Sequence, residues 1–295
     1  MAVEFFRRLV GRAAPPPPEV QEATEELTRL AQENPALTGP ADFLREALAA
    51  LYAEAIPSSP PLMTSEQAEA KLAAGVPLLR DEVLPLDVAA FTRRWLHVCA
   101  AVQRRQENPA APAVADALRR GSLDPRQLTN TILAGHPEAI HARADELSLD
   151  AGLTATVLRL TLFPVLSQIN LELAPLRSGR HWQRGYCPTC GSWPLLGEFR
   201  GLEQTRFLRC GLCAAGWEFP RLRCPFCNAT DHRQLGYFHV EAEEGKYRAT
   251  TCAVCRGYVK MLSTLTELSP TRLLVADLAT MHLDLVAAER GYESK

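Results

Sequence analysis

Four Cys-x-x-Cys pairs constrain this 295-residue chain more than any other feature of its sequence. Eight of the nine cysteines belong to these pairs, and all eight fall within residues 187–255. A Cys-x-x-Cys turn presents two sulfurs to one side of a tight loop, so two turns can surround one soft or borderline cation with four thiolates. The sequence therefore predicts two tetrathiolate metal sites. The predicted ligands are Cys187, Cys190, Cys210, Cys213, Cys224, Cys227, Cys252 and Cys255.

The same cysteines could instead form disulfides, a framework that is typical of short secreted chains. This chain is long, and the Arg7-Arg8 pair near its start is followed by Arg12 and prolines at 15–18, where an export signal would have an apolar segment. A membrane span is not expected either, because no run of 18 apolar residues occurs. We therefore expect a soluble cytoplasmic protein with reduced thiols.

Composition changes near residue 178. Of the 20 aromatic residues, 12 lie between Trp182 and Tyr258, and residues 181–260 have a net charge of +4 in a chain whose net charge is −2. A small metal module has too few residues for a large aliphatic core, so the metal and a few aromatic side chains share its stabilisation. The aromatic residues expected in these small cores are Trp193, Phe207, Trp217, Phe219, Tyr237 and Tyr247.

Residues 18–178 are predicted to form a helical domain, preceded by a stiff, proline-rich lead-in over residues 1–17. Thr64 with Gln67 is the pattern of a capping box, and Asp124 before a proline is the pattern of an N-cap. Pro164 is expected to kink or break the last helix, because proline lacks the amide donor that a helix needs. The predicted helices lie near residues 18–33, 41–55, 64–74, 87–106, 113–120, 125–134, 138–147 and 152–174.

A C-terminal helix is predicted over residues 269–292, starting at Ser269-Pro270. Its apolar side chains recur at steps of three and four, which places them on one face. We expect this face to pack back on the helical domain and to join the two parts of the chain. The stripe consists of Leu274, Leu278, Met281 and Leu285.

The cysteine region divides into two similar modules, residues 181–222 and residues 223–268. In each module, two cysteine turns flank a predicted hairpin, whose strands are 194–200 with 205–209 in the first and 234–240 with 246–251 in the second. Sequential pairing would give one ion to each module and is favoured because each module then closes its own hairpin. Crossed pairing, in which the two middle turns share an ion, stays open as the alternative.

Other polar and reactive residues are predicted to be less informative. Cys99 lies on an apolar helix face and is expected to be a small buried side chain. His181, His232 and His239 lie close to the cysteines in sequence, but eight thiolates already fill two sites. We therefore expect these histidines at the surface or beside the ligands.

Three polar residues fall on the predicted C-terminal helix. Asp277 and Asp284 are seven residues apart and share one face, with His282 nearby. These side chains could form a polar contact site for a partner or a solvated helix face, and both alternatives stay open.

Basic side chains among the cysteine turns raise a rival function, in which zinc ribbons bind nucleic acid through phosphates and stacking. The net charge of +4 over residues 181–260 is small for this function, and the sequence pI is near 6.4. An enzyme is not predicted, because we find no phosphate-cradling glycine loop, metalloprotease helix or nucleophile motif. The basic residues are Arg184, Arg200, Arg206, Arg209, Arg221, Arg223 and Lys260.

The cysteine segments resemble the formate dehydrogenase accessory protein family, FdhE. The resemblance extends over residues 181–292 and includes all four cysteine pairs, whereas only the general layout agrees in the helical part. The segments that carry it are RGYCPTCGS at 184–192, RCGLC at 209–213, RCPFC at 223–227, TCAVCRGY at 251–258 and DLATMHLD at 277–284.

This resemblance implies a multidomain α+β protein with an N-terminal all-α domain, two small rubredoxin-like or zinc-ribbon-like metal modules and a C-terminal helix. It also implies a cytoplasmic accessory protein, a maturation chaperone without enzyme activity, that binds the molybdenum-containing catalytic subunit of formate dehydrogenase for its assembly or activation. The eight cysteines would hold two metal ions. The family favours iron over zinc, although four thiolates suit both, and structural and redox roles are both open. The alternative is a nucleic-acid-binding zinc-ribbon protein with structural zinc.

Overall fold

The computed structural model describes residues 16–56, 59–106, 108–240 and 245–294. Residues 1–15 of the predicted proline-rich lead-in lie outside the described residues. The segments predicted to be helical before residue 178 are helices, with ends that shift by a few residues. These helices are α1 (Pro18–Glu33), α2 (Thr38–Leu51), α3 (Ser65–Ala73), α4 (Val88–Gln106), α5 (Ala111–Arg119), α6 (Pro125–Leu133), α7 (Pro137–Glu146) and α8 (Ala151–Arg177).

Both predicted helix starts are confirmed. The Thr64 hydroxyl accepts a hydrogen bond from the Gln67 amide at 3.2 Å, and the Gln67 side chain accepts one from the Thr64 amide at 2.9 Å. The Asp124 carboxylate accepts from the Arg126 amide at 2.8 Å at the start of α6. These local bonds satisfy amides that have no partner within the helix, which is why short sequence patterns predict them.

Pro164 was predicted to kink or break the last helix, and the predicted break is wrong, because α8 continues through this residue to Arg177. Pro164 is buried, and its neighbours Phe163 and Leu166 are fully buried in the core. Burial of these side chains can offset the free-energy cost of the hydrogen bond that proline removes. Among the described residues, α8 is also the one helix long and apolar enough to cross a membrane, but 67% of its most apolar window is buried inside the protein. This burial is typical of the core helix of a soluble protein.

The two predicted hairpins are confirmed, but they belong to one mixed sheet. β1 pairs with β2 and β4 pairs with β5, both antiparallel. The two hairpins are joined through β6, which runs parallel to β1 and antiparallel to β5. The strand order is β3-β2-β1-β6-β5-β4. The strands are β1 (Pro194–Arg200), β2 (Thr205–Cys210), β3 (Gly216–Glu218), β4 (Leu235–Phe238), β5 (Tyr247–Cys252) and β6 (Tyr258–Thr264).

The single C-terminal helix predicted over residues 269–292 is wrong, because the chain forms two helices, α9 (Pro270–Ala279) and α10 (Met281–Glu289). The break lies at the fully buried Thr280, whose hydroxyl donates to the Ala276 carbonyl at 2.7 Å. α9 packs against α1, where the Thr271 hydroxyl donates to the Glu19 carbonyl at 2.9 Å. α10 packs instead against β5 and β6.

Among the described residues, one large hydrophobic core runs from the helical part into α9 and strands β1, β2, β3 and β6, and a smaller one lies under α10. The division of the chain into domains at the stated residues stays a prediction. Of the aromatic residues predicted in the small cores, Trp217 and Phe219 are buried and Phe207 and Tyr247 are half-buried. Trp193 and Tyr237 are exposed, so the prediction is wrong for these two.

Two candidate metal centres

The first candidate centre consists of Cys187, Cys190, Cys210 and Cys213, all buried. Their sulfurs lie within 4.8 Å of one another, with Cys187 to Cys213 at 3.5 Å and Cys190 to Cys210 at 3.4 Å. The first pair precedes β1, and the second pair lies at the end of β2. The antiparallel β1–β2 hairpin therefore brings the two pairs together.

Local backbone geometry shapes each of these turns. At the first turn, the Gly191 amide donates to the Cys187 carbonyl at 3.0 Å, and Gly191 has a φ of +83°. A side chain here would also come close to Arg80 and Pro77, but it is the left-handed backbone conformation that favours glycine. The amides of Thr189 and Leu212 donate to the sulfurs of Cys187 and Cys210 at 3.4 and 3.3 Å. These bonds stabilise thiolate charge.

The second candidate centre consists of Cys224, Cys227, Cys252 and Cys255. Cys224 faces Cys255 and Cys227 faces Cys252, each at a sulfur–sulfur distance of 3.6 Å. Cys224 and Cys252 are buried, Cys255 is half-buried and Cys227 is exposed. The structure thus groups the cysteines in the sequential arrangement, and it makes the second centre more open to solvent than the first.

Both groups fit a metal ion. Sulfurs placed 2.3 Å from a central ion at the corners of a tetrahedron are about 3.8 Å apart. The observed separations of 3.4 to 3.6 Å are close to this value. Each centre could therefore hold one ion, and a set of four thiolates suits both zinc and iron.

The pKa values of the buried thiols differ widely, because the four sulfurs of the first centre do not all lose their protons equally easily. Burial raises the pKa of the Cys190 and Cys213 thiols well above the ordinary value. Burial acts on Cys187 in the same direction, but hydrogen bonds from the thiols of Cys190, Cys210 and Cys213 hold its pKa well below the ordinary value. A bound cation would favour the loss of all four protons, because it interacts favourably with all four thiolates at once.

The helical part contacts the first centre directly. The amides of Leu78 and Leu79, in the loop after α3, donate to the carbonyls of Pro188 and Thr189 at 2.9 and 2.8 Å. The Thr189 hydroxyl donates to the side chain of Asn170 on α8 at 2.9 Å. The first cysteine turn therefore lies against the helical part, so an ion bound there would also stabilise the junction.

Cys99 is buried on α4 as predicted, and burial raises the pKa of its thiol to about 12. Such a thiol stays protonated and unreactive at neutral pH. His181 and His232 are exposed and His239 is half-buried, and none belongs to either cysteine group. This placement agrees with the predicted surface position of the histidines.

The two aspartates of the C-terminal segment face inward, which neither alternative predicted. The buried Lys260 ammonium lies 2.7 Å from an Asp277 carboxylate oxygen and 2.8 Å from one of Asp284. The Tyr258 hydroxyl also donates to Asp284, at 2.7 Å. The aspartates thus neutralise a buried lysine and attach α9 and α10 to β6.

Sequence reasoning missed Glu198, a fully buried carboxylate in the middle of β1. It pairs with Arg209 and Arg200, and it accepts from the Leu268 amide at 3.2 Å. An acidic residue between apolar residues of a strand was the available signal, since a buried charge requires a partner. The hydrogen bond from Leu268 attaches the first hairpin to the segment that leads into α9.

Two family descriptions match the part of the chain that contains the paired cysteines. The family descriptions "FdhE, central domain" and "FdhE, C-terminal domain" match residues 186–221 and 222–295. A protein FdhE homolog of Stutzerimonas stutzeri (strain A1501) is 39% identical over 128 residues, which are 42% of this chain and 40% of that protein. This match therefore spans less than half the length of that relative.

Two further matches include the helical part. A protein FdhE homolog of Enterobacter sp. (strain 638) is 29% identical over 282 residues, covering 91% of this chain and 83% of that protein. The crystal structure of the FdhE protein from Pseudomonas aeruginosa superimposes with a TM-score of 0.59 at 26% identity. That superposition covers 95% of this chain and 96% of the other.

Proposed function

Since the chain belongs to the FdhE family, we propose that it is an accessory protein for formate dehydrogenase. It binds the molybdenum-containing catalytic subunit and supports the assembly or activation of that subunit. The observation that carries the proposal is the pair of four-cysteine centres within an FdhE fold. FdhE is the name of a protein family rather than of an enzyme, in agreement with an accessory role.

The chemistry of the centres also favours binding over catalysis. Four thiolates fill a tetrahedral ion and leave no position for a substrate, as in structural sites. Site formation contributes folding free energy directly, because the unfolded chain lacks the site. In this proposal the first centre holds the modules against the helical part, and the surface between the modules recognises the immature partner.

Iron is the ion that we propose for both centres. The Cys-Pro-x-Cys-Gly turn at residues 187–191 is of the rubredoxin type, and its amide-to-sulfur hydrogen bonds are contacts that tune the potential of an iron site. Iron would supply a one-electron couple, whereas zinc would be structural. We place the protein in the cytoplasm, where thiols stay reduced.

Two experiments on anaerobically purified protein test this proposal. Metal analysis should find two irons per chain together with thiolate-to-iron absorption bands, and the double variant C187S/C190S should lose one ion. Immobilised full-length chain should capture the purified formate dehydrogenase catalytic subunit. C99S is the matched control, because it removes a buried thiol outside both centres. Failure of the metal-loaded chain to bind the subunit, in its apo and cofactor-loaded forms, would overturn the accessory role.

In the folded protein, carboxylates neutralise part of the positive charge that suggested nucleic-acid binding. Arg200, Arg209 and Lys260 form ion pairs with carboxylates inside the molecule. Binding to DNA or RNA that falls steeply with salt would revive this alternative.

A further inference from the structure

We propose that the groove between the two modules binds an acidic peptide segment. The identification of that peptide as part of formate dehydrogenase rests on the proposed function, whereas the groove itself is a feature of this chain. The groove has a volume of about 290 Å³ and lies beside the second metal centre, where Cys224 and Cys252 contribute to its wall.

Strand pairing builds the floor of the groove from both modules. Phe199 of β1 is opposite Arg206 of β2, and Thr250 of β5 is opposite Val259 of β6 and Tyr237 of β4. These residues share one face of the sheet, because partners across strands point to the same side. The loop at residues 221–226 also lines the groove. The groove therefore exists because β6 joins the hairpins.

Charge is the distinctive property of the groove. Four arginines line it, and no carboxylate does among the lining residues that the structure describes. No ion pair joins any of these arginines to a described acidic residue. This contrasts with Arg209 and Lys260, whose charges are neutralised by buried or half-buried carboxylates. The four groove arginines are Arg206, Arg221, Arg223 and Arg248.

Aromatic rings orient two of these arginines. The Arg248 guanidinium lies 4.8 Å from the Phe199 ring centre and 5.7 Å from that of Tyr237. The Arg221 guanidinium lies 5.1 Å from the same Phe199 ring centre, and its Nη2 donates to the carbonyls of Glu203 and Gln204. The Arg248 guanidinium, held against these rings, keeps its edge available, and that edge can donate two parallel hydrogen bonds to a carboxylate. Arg221 contributes positive charge, because its Nη2 already donates to two carbonyls.

Arg206 adds positive charge on the buried side of the groove. Its side chain is buried and donates to the carbonyls of Pro220, Arg221 and Arg223, while its Nε has no partner among the described residues. The sulfur of Cys224 interacts with this charge, but no carboxylate among the described residues pairs with it, so Arg206 adds positive charge beside the groove.

The shape and rim of the groove favour a peptide over a phosphorylated ligand. Its volume lies at the lower limit of small-molecule pockets, which are about 300–1,000 Å³. No helix N-terminus belongs to the lining residues that the structure describes, so the helix-terminus arrangement that often binds phosphate is missing from this lining. Leu222 and Tyr237 are 66% and 62% exposed at the groove, where they offer apolar contacts to a peptide.

Fluorescence anisotropy with a labelled hexaglutamate peptide and the full-length, metal-loaded chain tests the proposal at low salt. The double variant R221Q/R248Q should weaken binding at least tenfold, because it removes two positive charges and the free edge of Arg248. R248K should weaken it less, since lysine keeps the charge but not the fork. R120Q, at an exposed position after α5, is the matched control and should change binding less than twofold. Circular dichroism and metal content verify that each variant is folded.

Three further ligands test whether the groove selects an acidic peptide. They are labelled hexalysine, a six-nucleotide oligothymidine and inorganic phosphate. Unchanged hexaglutamate binding in R221Q/R248Q would overturn the proposal, and so would tighter binding of the oligonucleotide or competition by millimolar phosphate. The catalytic subunit separates this proposal from the proposed function. Equal capture of the subunit by wild type and R221Q/R248Q would refute the groove as its binding site alone. Arginine-dependent hexaglutamate binding without any subunit binding would refute the accessory role alone.

Discussion

Replacing Glu198 with alanine should destabilise the sheet strongly. The Glu198 carboxylate is 0% exposed and the paired Arg209 is 1% exposed, so the substitution leaves a buried guanidinium without its main counter-charge. Removing one partner of a buried ion pair costs about 3–5 kcal/mol. The Leu268 amide also loses its acceptor, although Arg209 keeps bonds to the carbonyls of Ala214 and Leu268 and lies 3.4 Å from Glu267.

These remaining contacts reduce the penalty, so we expect a loss of about 3 kcal/mol in the free energy of unfolding. A loss of this size is a large part of the total stability of a domain, which is about 5–15 kcal/mol. Urea unfolding of the metal-loaded protein, followed by circular dichroism and tryptophan fluorescence, measures the shift in midpoint at constant slope.

E218A on β3 is the matched control, because Glu218 is exposed. It should change stability by less than about 0.5 kcal/mol. E198Q keeps the shape and one acceptor but removes the charge, so its effect should lie between those of E218A and E198A. A loss below about 1 kcal/mol for E198A would refute the view that the buried pair joins the first hairpin to the C-terminal segment.

Three further predictions concern the second centre, the buried lysine and the free thiol. A chelator should remove the ion of the second centre faster than that of the first, because Cys227 is exposed. C227S should leave one ion per chain, because it removes a ligand of the second centre. Equal release rates for the two ions would contradict the first expectation. K260M should cost about 3 kcal/mol in urea unfolding, since Asp277 and Asp284 lose their shared cation, and a loss below about 1 kcal/mol would contradict the assigned role. Burial raises the pKa of Cys99 from 9.0 to about 12, so its contribution to stability is full below pH 9 and is lost as the pH rises from 9 toward 12. Unfolding midpoints measured across this range should therefore fall more steeply for wild type than for C99A, and parallel profiles would exclude this contribution.

Features that depend on a few neighbouring residues were predictable from the sequence. The helix starts at Thr64 and Asp124 follow from side-chain to amide bonds within three residues. The Cys-x-x-Cys turns and the two hairpins are equally local, and the sequential grouping of the cysteines follows because each hairpin returns the chain to its own first pair.

Features that depend on distant segments were not predictable in this way. The prediction of a break at Pro164 failed because burial of α8 outweighs a lost hydrogen bond, and the break at Thr280 was missed because α9 and α10 pack on different surfaces. The pairing of β1 with β6 joins residues more than 60 positions apart, and no local pattern encodes it.

The difference in solvent exposure between the two centres arises at this tertiary level. Cysteine spacing determined the four pairs, because the two sulfurs of a Cys-x-x-Cys turn point to the same side of that turn wherever it lies. Spacing is nearly the same in both modules, yet only the first centre is enclosed, because the loop at Leu78 and Leu79 and helix α8 contact its turn. The arginine groove likewise requires β6 to place both hairpins in one sheet. Burial and unpaired charge are properties of the packed molecule, since they depend on which distant residues come together.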